Sequence, residues 1–310
     1  MTLNKKIINN TLIIELENIY IDIETIYRSG QCFNIIKKDN VYKIISTDKL
    51  CVFKRHETKS EIYMRKDEED YWTRYFNLNT DFKEYLDILK NDNNEFIKKC
   101  ANYSTGMIIL KQDLWECMMS FIISQRKSIP SIKTSLELLS EKFGQNHESF
   151  LENFVLIKYK SLPQLQDFNW FLKNKDKDEI INYLQAKNNK KEYIKPNISQ
   201  LQELLSCGLG YRDEYILQAA EWMSRKPNIS EGYDNHLNTL MKIKGIGKKV
   251  ANCITLFSFN DFDAFPVDVW IQRILDKKLL PEDLSQYQKF LGFLQQIIFF
   301  YAIENKKEII

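Results

Sequence analysis

The chain has 310 residues, of which 44% are hydrophobic and 13% aromatic, so it can build a hydrophobic core and is not disordered as a whole. Its 44 basic and 42 acidic residues leave a net charge of +2, which means that any nucleic-acid-binding surface must be local. No apolar stretch is long enough to cross a bilayer or to serve as a signal peptide, so we expect a cytoplasmic protein without a membrane partner.

Cysteine and histidine positions argue against several classes of active site. The nearest cysteines, Cys100 and Cys117, are 17 residues apart, and the three histidines are also well separated. This spacing does not favour a redox pair, a zinc ribbon or a Ser/His/Asp triad. We therefore expect no metal site and no other cofactor.

The first hundred residues follow a period of two and are rich in turn signals. This alternation is typical of half-buried strands, and the breaks between the runs are typical of tight turns. It predicts an antiparallel sheet domain over residues 1–105. The predicted strands are 11–16, 32–36, 41–46 and 50–55.

From Asp113 onward the apolar residues recur at helical spacing, which predicts a mainly α-helical domain over residues 106–310 and an α+β fold for the whole chain. A Lys/Asn-rich stretch at about 145–195 interrupts the pattern like an insertion. Further helices are predicted at 198–206, 213–224, 235–242, 248–258, 268–276 and 284–304.

Glycine is scarce, with nine in the chain, yet two occur in Lys244-Gly245-Ile246-Gly247 between two helical patterns. Glycines allow a tight reversal, and the amides at the start of the next helix can approach a phosphate. We predict a helix-hairpin-helix at about 235–258, although GxG alone also fits an ordinary turn between helices.

Two further positions follow the hairpin. Lys249 lies in the first turn of the second helix, and Cys253 comes four residues later on the same face. Twelve residues after Cys253 the chain begins Phe265-Pro266-Val267-Asp268-Val269, and Asp268, fifteen residues after Cys253, is placed to cap the next helix.

Here the chain resembles the helix-hairpin-helix DNA glycosylases with the Gly/Pro-Asp signature, and within them a bacterial-type 8-oxoguanine DNA glycosylase. The resemblance rests on KGIGKKVANC followed by PVDV, and covers most of the chain outside 145–195. Three segments at collinear positions support it: SGQCF at 29–33, QDLWECMMSFIISQ at 112–125 and CGLGYR at 207–212. It implies a TBP-like antiparallel sheet followed by a helical glycosylase domain.

The resemblance implies a bifunctional enzyme acting on double-stranded DNA that contains 8-oxoguanine. Lys249 would attack C1′ and form an imine, Asp268 would stabilise the positive charge on the sugar, and β-elimination would cleave the strand. A monomer is expected, associated with the nucleoid through its DNA.

Further roles follow from the family's motifs. Gly30 would accept the N7–H of 8-oxoguanine through its carbonyl, Gln295 would read the Watson–Crick edge, and Cys253 and Phe299 would pack on the two faces of the base. The contacts with DNA would come from Arg126, Tyr211, Arg212, Gly245, Gly247, Lys248 and Trp270. For Phe299 a place in the core, and for the Tyr211–Arg212 pair an exposed surface position, are the plainer interpretations.

The chain also departs from the eukaryotic members. Arg126 stands in a stretch that carries asparagines there and is expected to fill the space of the flipped base. Ser131 replaces a second arginine, so we expect a weaker preference for cytosine opposite the lesion.

Two alternatives stay open. A monofunctional alkylbase glycosylase has the same fold but uses water and needs no lysine at position 249. A non-catalytic binding module would keep only the hairpin. An iron–sulfur relative is excluded because no four-cysteine cluster follows Asp268.

Overall fold

The computed structural model of the chain describes residues 4–8, 10–47, 49–143, 209–225 and 227–310. The predicted insertion at 145–195, the predicted helix at 198–206 and the first two residues of CGLGYR lie outside the described residues. Within the described residues, no helix combines the length and the apolar composition that crossing a bilayer requires.

A six-stranded antiparallel sheet forms the N-terminal part, with the strand order β1-β2-β6-β5-β4-β3. The predicted antiparallel sheet is confirmed, although two of its strands were not predicted. β4 is buried along its whole length, whereas the edge strand β1 is almost fully exposed. The strands are β1 Asn4–Ile8, β2 Thr11–Glu17, β3 Ile35–Lys38, β4 Val41–Ser46, β5 Lys49–Arg55 and β6 Lys59–Arg65.

Helices account for most of the remaining described chain. They are α1 Ile23–Arg28, α2 Glu69–Tyr75, α3 Phe82–Lys90, α4 Glu95–Tyr103, α5 Leu114–Ser124, α6 Ile129–Phe143, α7 Arg212–Ser224, α8 Tyr233–Leu240, α9 Lys248–Ile254, α10 Val269–Asp276, α11 Leu291–Glu304 and α12 Lys306–Ile309. A π-helical turn, Thr255–Phe259, continues α9, and a 3-10 helix, Ser285–Phe290, precedes α11.

The prediction that period two continues to about residue 100 is wrong, because the sheet ends at Arg65 and three helices follow. In α3 the buried residues Phe82, Leu86 and Leu89 are spaced at i, i+4 and i+7, the pattern of one helix face. Asp81 caps α3 by accepting the N–H of Glu84 at 3.1 Å. The helical signals were therefore present in the sequence.

The predicted strand 32–36 also begins too early, since β3 starts at Ile35. Residues 29–34 instead connect α1 to β3. In this connection Ser29, Gln31 and Cys32 are buried. It brings Gly30 towards α11, which is buried on nearly all sides and packs against α4 and α10. The sheet and the helical part therefore meet at residues 29–34.

Candidate active site

A cavity of about 450 Å³ lies where the connection after α1 meets α5, α9, α10 and α11. Its walls include seven of the thirteen residues that the sequence predicted for the site. These are Gly30, Lys249, Cys253, Asp268, Trp270, Gln295 and Phe299. The proposed amine and the proposed carboxylate therefore face the same enclosed space.

The hairpin before α9 fixes where Lys249 enters this space. α8 ends at Leu240 and α9 begins at Lys248, and the turn between them buries Ile243 and Ile246. Gly245 has φ +89°, and a Cβ there would come within 2.6 Å of the Tyr215 side chain. Only glycine satisfies both the backbone and the close approach. The predicted hairpin is thus present, with a tightly packed turn.

Lys249 shares one face of α9 with Cys253. Its Nζ lies 5.4 Å from the centre of the Phe121 ring, which forms part of the cavity wall. Burial raises the pKa of the Cys253 thiol, and the charge of Lys249 and its hydrogen bond to the thiol work in the opposite direction. The amine is therefore held against an aromatic ring and a protonated thiol.

Asp268 is the N-cap of α10, as predicted. Its Oδ1 accepts the N–H groups of Trp270 at 3.0 Å and Ile271 at 2.9 Å. Burial raises the pKa of this carboxyl, whereas the Ile271 N–H and the charge of Lys249 lower it. The cap fixes the carboxylate within electrostatic reach of the amine, in a setting where its negative charge is poorly solvated.

Gln295 presents an unpaired acceptor. It is buried on α11, and its Nε2 donates to the Pro266 carbonyl at 2.9 Å. Among the described residues nothing donates to its buried Oε1. Because an unpaired buried acceptor is costly, a site of this kind favours a ligand that supplies an N–H.

Gly30 lines the cavity next to Phe299 of this helix. It has φ +71°, and a Cβ there would contact the Phe299 ring at 3.4 Å and the Ile129 side chain at 3.5 Å. Phe299 is half-buried and lines the cavity, one helical turn after Gln295. The side chain is therefore at a surface where a ring could stack, rather than fully within the core.

The segment after α5 connects the cavity to the hairpin. Gln125 donates from Nε2 to the Gly245 carbonyl at 2.9 Å, and Lys127 and Ser128 line the cavity. Arg126 is exposed and has φ +53°, a conformation that costs a non-glycine residue energy. The chain thus holds the Arg126 side chain outside, at the edge of the cavity.

The expectation of an exposed Tyr211–Arg212 pair is wrong for Arg212. Arg212 is only 7% exposed, and its guanidinium donates to the carbonyls of Gln125 and Leu209. Buried carbonyls at the ends of α5 and of the turn before α7 need these donors, which accounts for the inward position. Tyr211 is 49% exposed, as expected.

The remaining predicted residues lie outside the cavity lining or at its edge. Gly247 and Lys248 are exposed at the start of α9, and a Cβ on Gly247 would meet nothing within 4 Å. Trp270 lines the cavity, and its ring lies 5.0 Å from the Arg273 guanidinium carbon. The hairpin surface is therefore open to a ligand as large as a backbone phosphate.

Sequence reasoning missed several buried glutamines around the cavity. Gln31 and Gln112 occur in the quoted motifs but were given no role, and Gln296 follows Gln295 directly. The one signal that could have found them is that these polar side chains are buried. That burial depends on contacts with distant parts of the chain, which the sequence does not reveal. Within the described ranges, no group of three or more Asp, Glu, His or Cys residues is arranged to hold a metal ion.

Comparisons with known proteins find similarity to 8-oxoguanine DNA glycosylases. The family model for the 8-oxoguanine DNA glycosylase N-terminal domain matches residues 12–118. The protein "Probable N-glycosylase/DNA lyase" of Methanothermobacter thermautotrophicus is 26% identical over 242 residues, 73% of this chain and 72% of that protein.

Solved structures extend the likeness to nearly the whole chain. The 8-oxoguanine glycosylase/lyase of Clostridium acetobutylicum, in complex with double-stranded DNA containing cytosine opposite 8-oxoguanine, is 25% identical with a TM-score of 0.72, over 99% of each chain. A 3-methyladenine DNA glycosylase from Archaeoglobus fulgidus is 14% identical with a TM-score of 0.62, over 94% of this chain and 98% of that one, which is a likeness of fold alone.

Proposed function

We propose that the chain is a member of the 8-oxoguanine DNA glycosylase family, to which it is similar over nearly its whole length, and that it excises 8-oxoguanine from double-stranded DNA and then cleaves the strand. One observation supports this proposal above the others. Lys249 and Asp268 line the same cavity as Gln295, whose buried acceptor has no partner among the described residues. The cavity thus combines a nucleophile, a carboxylate and a group that can recognise a base.

The first step breaks the glycosidic bond. Neutral Lys249 Nζ attacks C1′ as the C1′–N9 bond breaks, and the departing base takes the bonding electron pair and a proton. Asp268, fixed by its cap, stabilises the positive charge that develops on the sugar. The nitrogen gives its proton to the departing base, and its lone pair then expels the ring oxygen O4′, which takes a proton from water, so that a protonated imine remains at C1′.

The second step cleaves the strand. The imine makes the C2′ hydrogen acidic, so a base removes it and the electron pair expels the 3′ phosphate oxygen. Water then hydrolyses the imine and frees Lys249. The same nitrogen therefore accounts for both glycosylase and lyase activity.

Base recognition uses groups whose hydrogen-bonding pattern differs between guanine and 8-oxoguanine. The Gln295 Oε1 accepts from the N–H groups on the Watson–Crick edge, which both bases carry. The Gly30 carbonyl accepts from N7–H, which only 8-oxoguanine carries. A guanine would place its N7 acceptor against that carbonyl, at a cost of about 1–3 kcal/mol.

DNA contact is assigned to the exposed groups beside the cavity. The open amides at Gly247 and the Lys248 ammonium suit a phosphate, and Arg126 and Tyr211 are free to enter the duplex. Trp270, at the edge of the cavity, would adjoin the flipped nucleotide. We also propose that the protein acts as a monomer, in the cytoplasm where it meets DNA.

The experiment is covalent trapping with borohydride on a duplex that contains one 8-oxoguanine. Reduction of the imine to an amine should leave wild-type protein bound to the DNA, and Lys249→Gln should give no adduct. Lys248→Gln, its neighbour on the exposed side of α9, is the matched control and should still be trapped. A wild-type protein that binds the duplex but gives no adduct and releases no base would leave only the binding-module alternative.

The same experiment addresses the monofunctional alkylbase alternative. An enzyme that uses water would release the base and leave an intact abasic strand, with no adduct. Lys249 lining the cavity favours the lysine mechanism over that alternative.

A further inference from the structure

Three consecutive backbone carbonyls in the connection after α1 differ in whether they accept a hydrogen bond. The Ser29 carbonyl accepts Gln296 Nε2 at 2.8 Å, and the Gln31 carbonyl accepts Gln112 Nε2 at 2.6 Å. Gly30, between them, lines the cavity, and no described residue donates to its carbonyl. Two buried amides therefore hold the outer carbonyls and leave the middle one available.

Further hydrogen bonds fix Ser29 and Gln31 to residues before α5. Gln31 is fully buried and donates from Nε2 to the Ile108 carbonyl at 2.9 Å, while its Oε1 accepts the Leu110 N–H at 2.9 Å. Ser29 Oγ donates to the Ile26 carbonyl at 2.7 Å. These bonds tie the connection to its own part of the chain, but none of them reaches α11.

Gln296 is the link to α11. It is only 2% exposed, and it lies beside Gln295 and one turn before Phe299 on that helix. Its bond to Ser29 joins residues that are 267 positions apart in the chain. α11 carries two of the proposed base contacts, Gln295 and Phe299. Through this bond it also holds the segment that carries Gly30, a further proposed base contact.

The hydrogen bond from Gln296 to the Ser29 carbonyl is important because the next residue, at position 30, is a glycine. At φ +71° it is stable, but glycine also adopts negative φ at little cost, so the peptide between Ser29 and Gly30 can rotate. That rotation would turn the Ser29 carbonyl away from Gln296, and because the φ angle of Gly30 sets the angle between the two carbonyl groups, it would also change the orientation of the Gly30 carbonyl relative to the Ser29 carbonyl. A donor on the Ser29 carbonyl therefore opposes it.

We propose that Gln296 is a specificity-determining positioning residue, which holds the Gly30 carbonyl where it can accept the N7–H of 8-oxoguanine. This inference rests on the proposed function. Gln296 lines the cavity, but its amide nitrogen donates to the Ser29 carbonyl, so that it acts through the Ser29 peptide. Losing its donor should weaken recognition of the base and leave the chemistry of Lys249 intact.

The test compares two reactions of the full-length protein with Gln296→Met, which keeps the length of the side chain but cannot donate. Single-turnover excision of 8-oxoguanine needs the base contacts, whereas cleavage of a preformed abasic site needs only Lys249. We expect excision to fall about tenfold, the change that losing one hydrogen bond produces, and abasic-site cleavage to stay within about twofold. Gln296→Glu places a carboxylate oxygen against the Ser29 carbonyl, so that two acceptors face each other, and its excision rate should fall further.

Asn18→Leu is the matched control for losing a buried amide. Asn18 donates to the His56 carbonyl at 2.9 Å in the sheet, and it does not line the cavity. This variant should lower the melting temperature and keep the ratio of the two rates. The same ratio must change in Gln296→Met even if both variants lose similar stability.

Two results would overturn the inference. One is a Gln296→Met protein that excises 8-oxoguanine at the wild-type rate. The other is a parallel loss of excision and abasic-site cleavage, which would reduce Gln296 to a structural role. Failure of the proposed function looks different, because the wild-type protein itself would then not excise 8-oxoguanine.

Discussion

The cavity and its rim differ in how their residues are held in place. We define the rim as Arg126, Tyr211, Gly247 and Lys248, the exposed predicted residues beside the cavity. Cavity residues are held by short hydrogen bonds, as in the Asp268 cap and the Gln295–Pro266 bond. At the rim the side chains of Arg126, Tyr211 and Lys248 are exposed to solvent, and Gly247 exposes its backbone.

This difference determines where a single substitution should have a large effect. A buried polar group has few alternative partners, so removing it is costly, whereas exposed charges contribute small amounts that add up. We therefore expect large and selective effects in the cavity and smaller effects at the rim.

The largest of these effects is expected at Asp268. Asn is as good an N-cap as Asp, so Asp268→Asn should keep the melting temperature of the wild type. It removes the charge that stabilises the sugar cation, so single-turnover excision should fall about a hundredfold. Asp268→Ala, as the control, should lose about 1 kcal/mol of stability as well. Full activity in Asp268→Asn would reduce this residue to a helix cap.

Gly30→Ala comes next. The methyl group would strain the backbone at φ +71° by about 1–2 kcal/mol and lie against Phe299 in the cavity. Excision of 8-oxoguanine should fall roughly tenfold, and cleavage of an abasic site should not change. Gly232→Ala is the control, since Gly232 has φ +103° but lies outside the cavity lining. Equal loss of both activities in Gly30→Ala would contradict a role in base recognition.

The two hairpin glycines should separate stability from DNA binding. Gly245→Ala forces a Cβ into Tyr215 and should cost about 3 kcal/mol, which thermal unfolding would detect. Gly247→Ala meets nothing within 4 Å and should unfold like the wild type but bind duplex DNA a few-fold more weakly. If Gly247→Ala binds DNA normally, the phosphate does not approach this amide.

The smallest effect concerns the base opposite the lesion. Arg212 donates to backbone carbonyls and Ser131 carries no charge, so neither offers a free guanidinium to the partner base. One bidentate base contact is worth about 1–3 kcal/mol, so we expect a preference for cytosine over adenine below about a hundredfold. Single-turnover excision from the two duplexes measures it. A preference of several hundredfold would mean that Arg212 leaves its carbonyls when DNA binds.

The sequence predicted seven of the residues that line the cavity, because the chemistry of this site lies in short, local patterns. The hairpin glycines, Lys249 with Cys253 one turn later, and the Asp268 cap each need only a few neighbouring residues to be recognised. Asp268 does cap α10, and the pair does share the face of α9 that lines the cavity. Their catalytic roles stay predictions.

Long-range backbone contacts could not be predicted in the same way. The inward position of Arg212 depends on the Gln125 carbonyl, 87 residues earlier, and the Gln296 bond spans 267 residues. By contrast, α3 and α4 have local signals that were missed when period two was extended to residue 100. The domain division at about residue 105 also stays a prediction.

Covalent trapping measures the central claim most directly. With an 8-oxoguanine duplex and borohydride, wild-type protein and Lys248→Gln should form a stable protein–DNA adduct, and Lys249→Gln should form none. An adduct of undiminished yield with Lys249→Gln would contradict the account, because another nitrogen would then be the nucleophile.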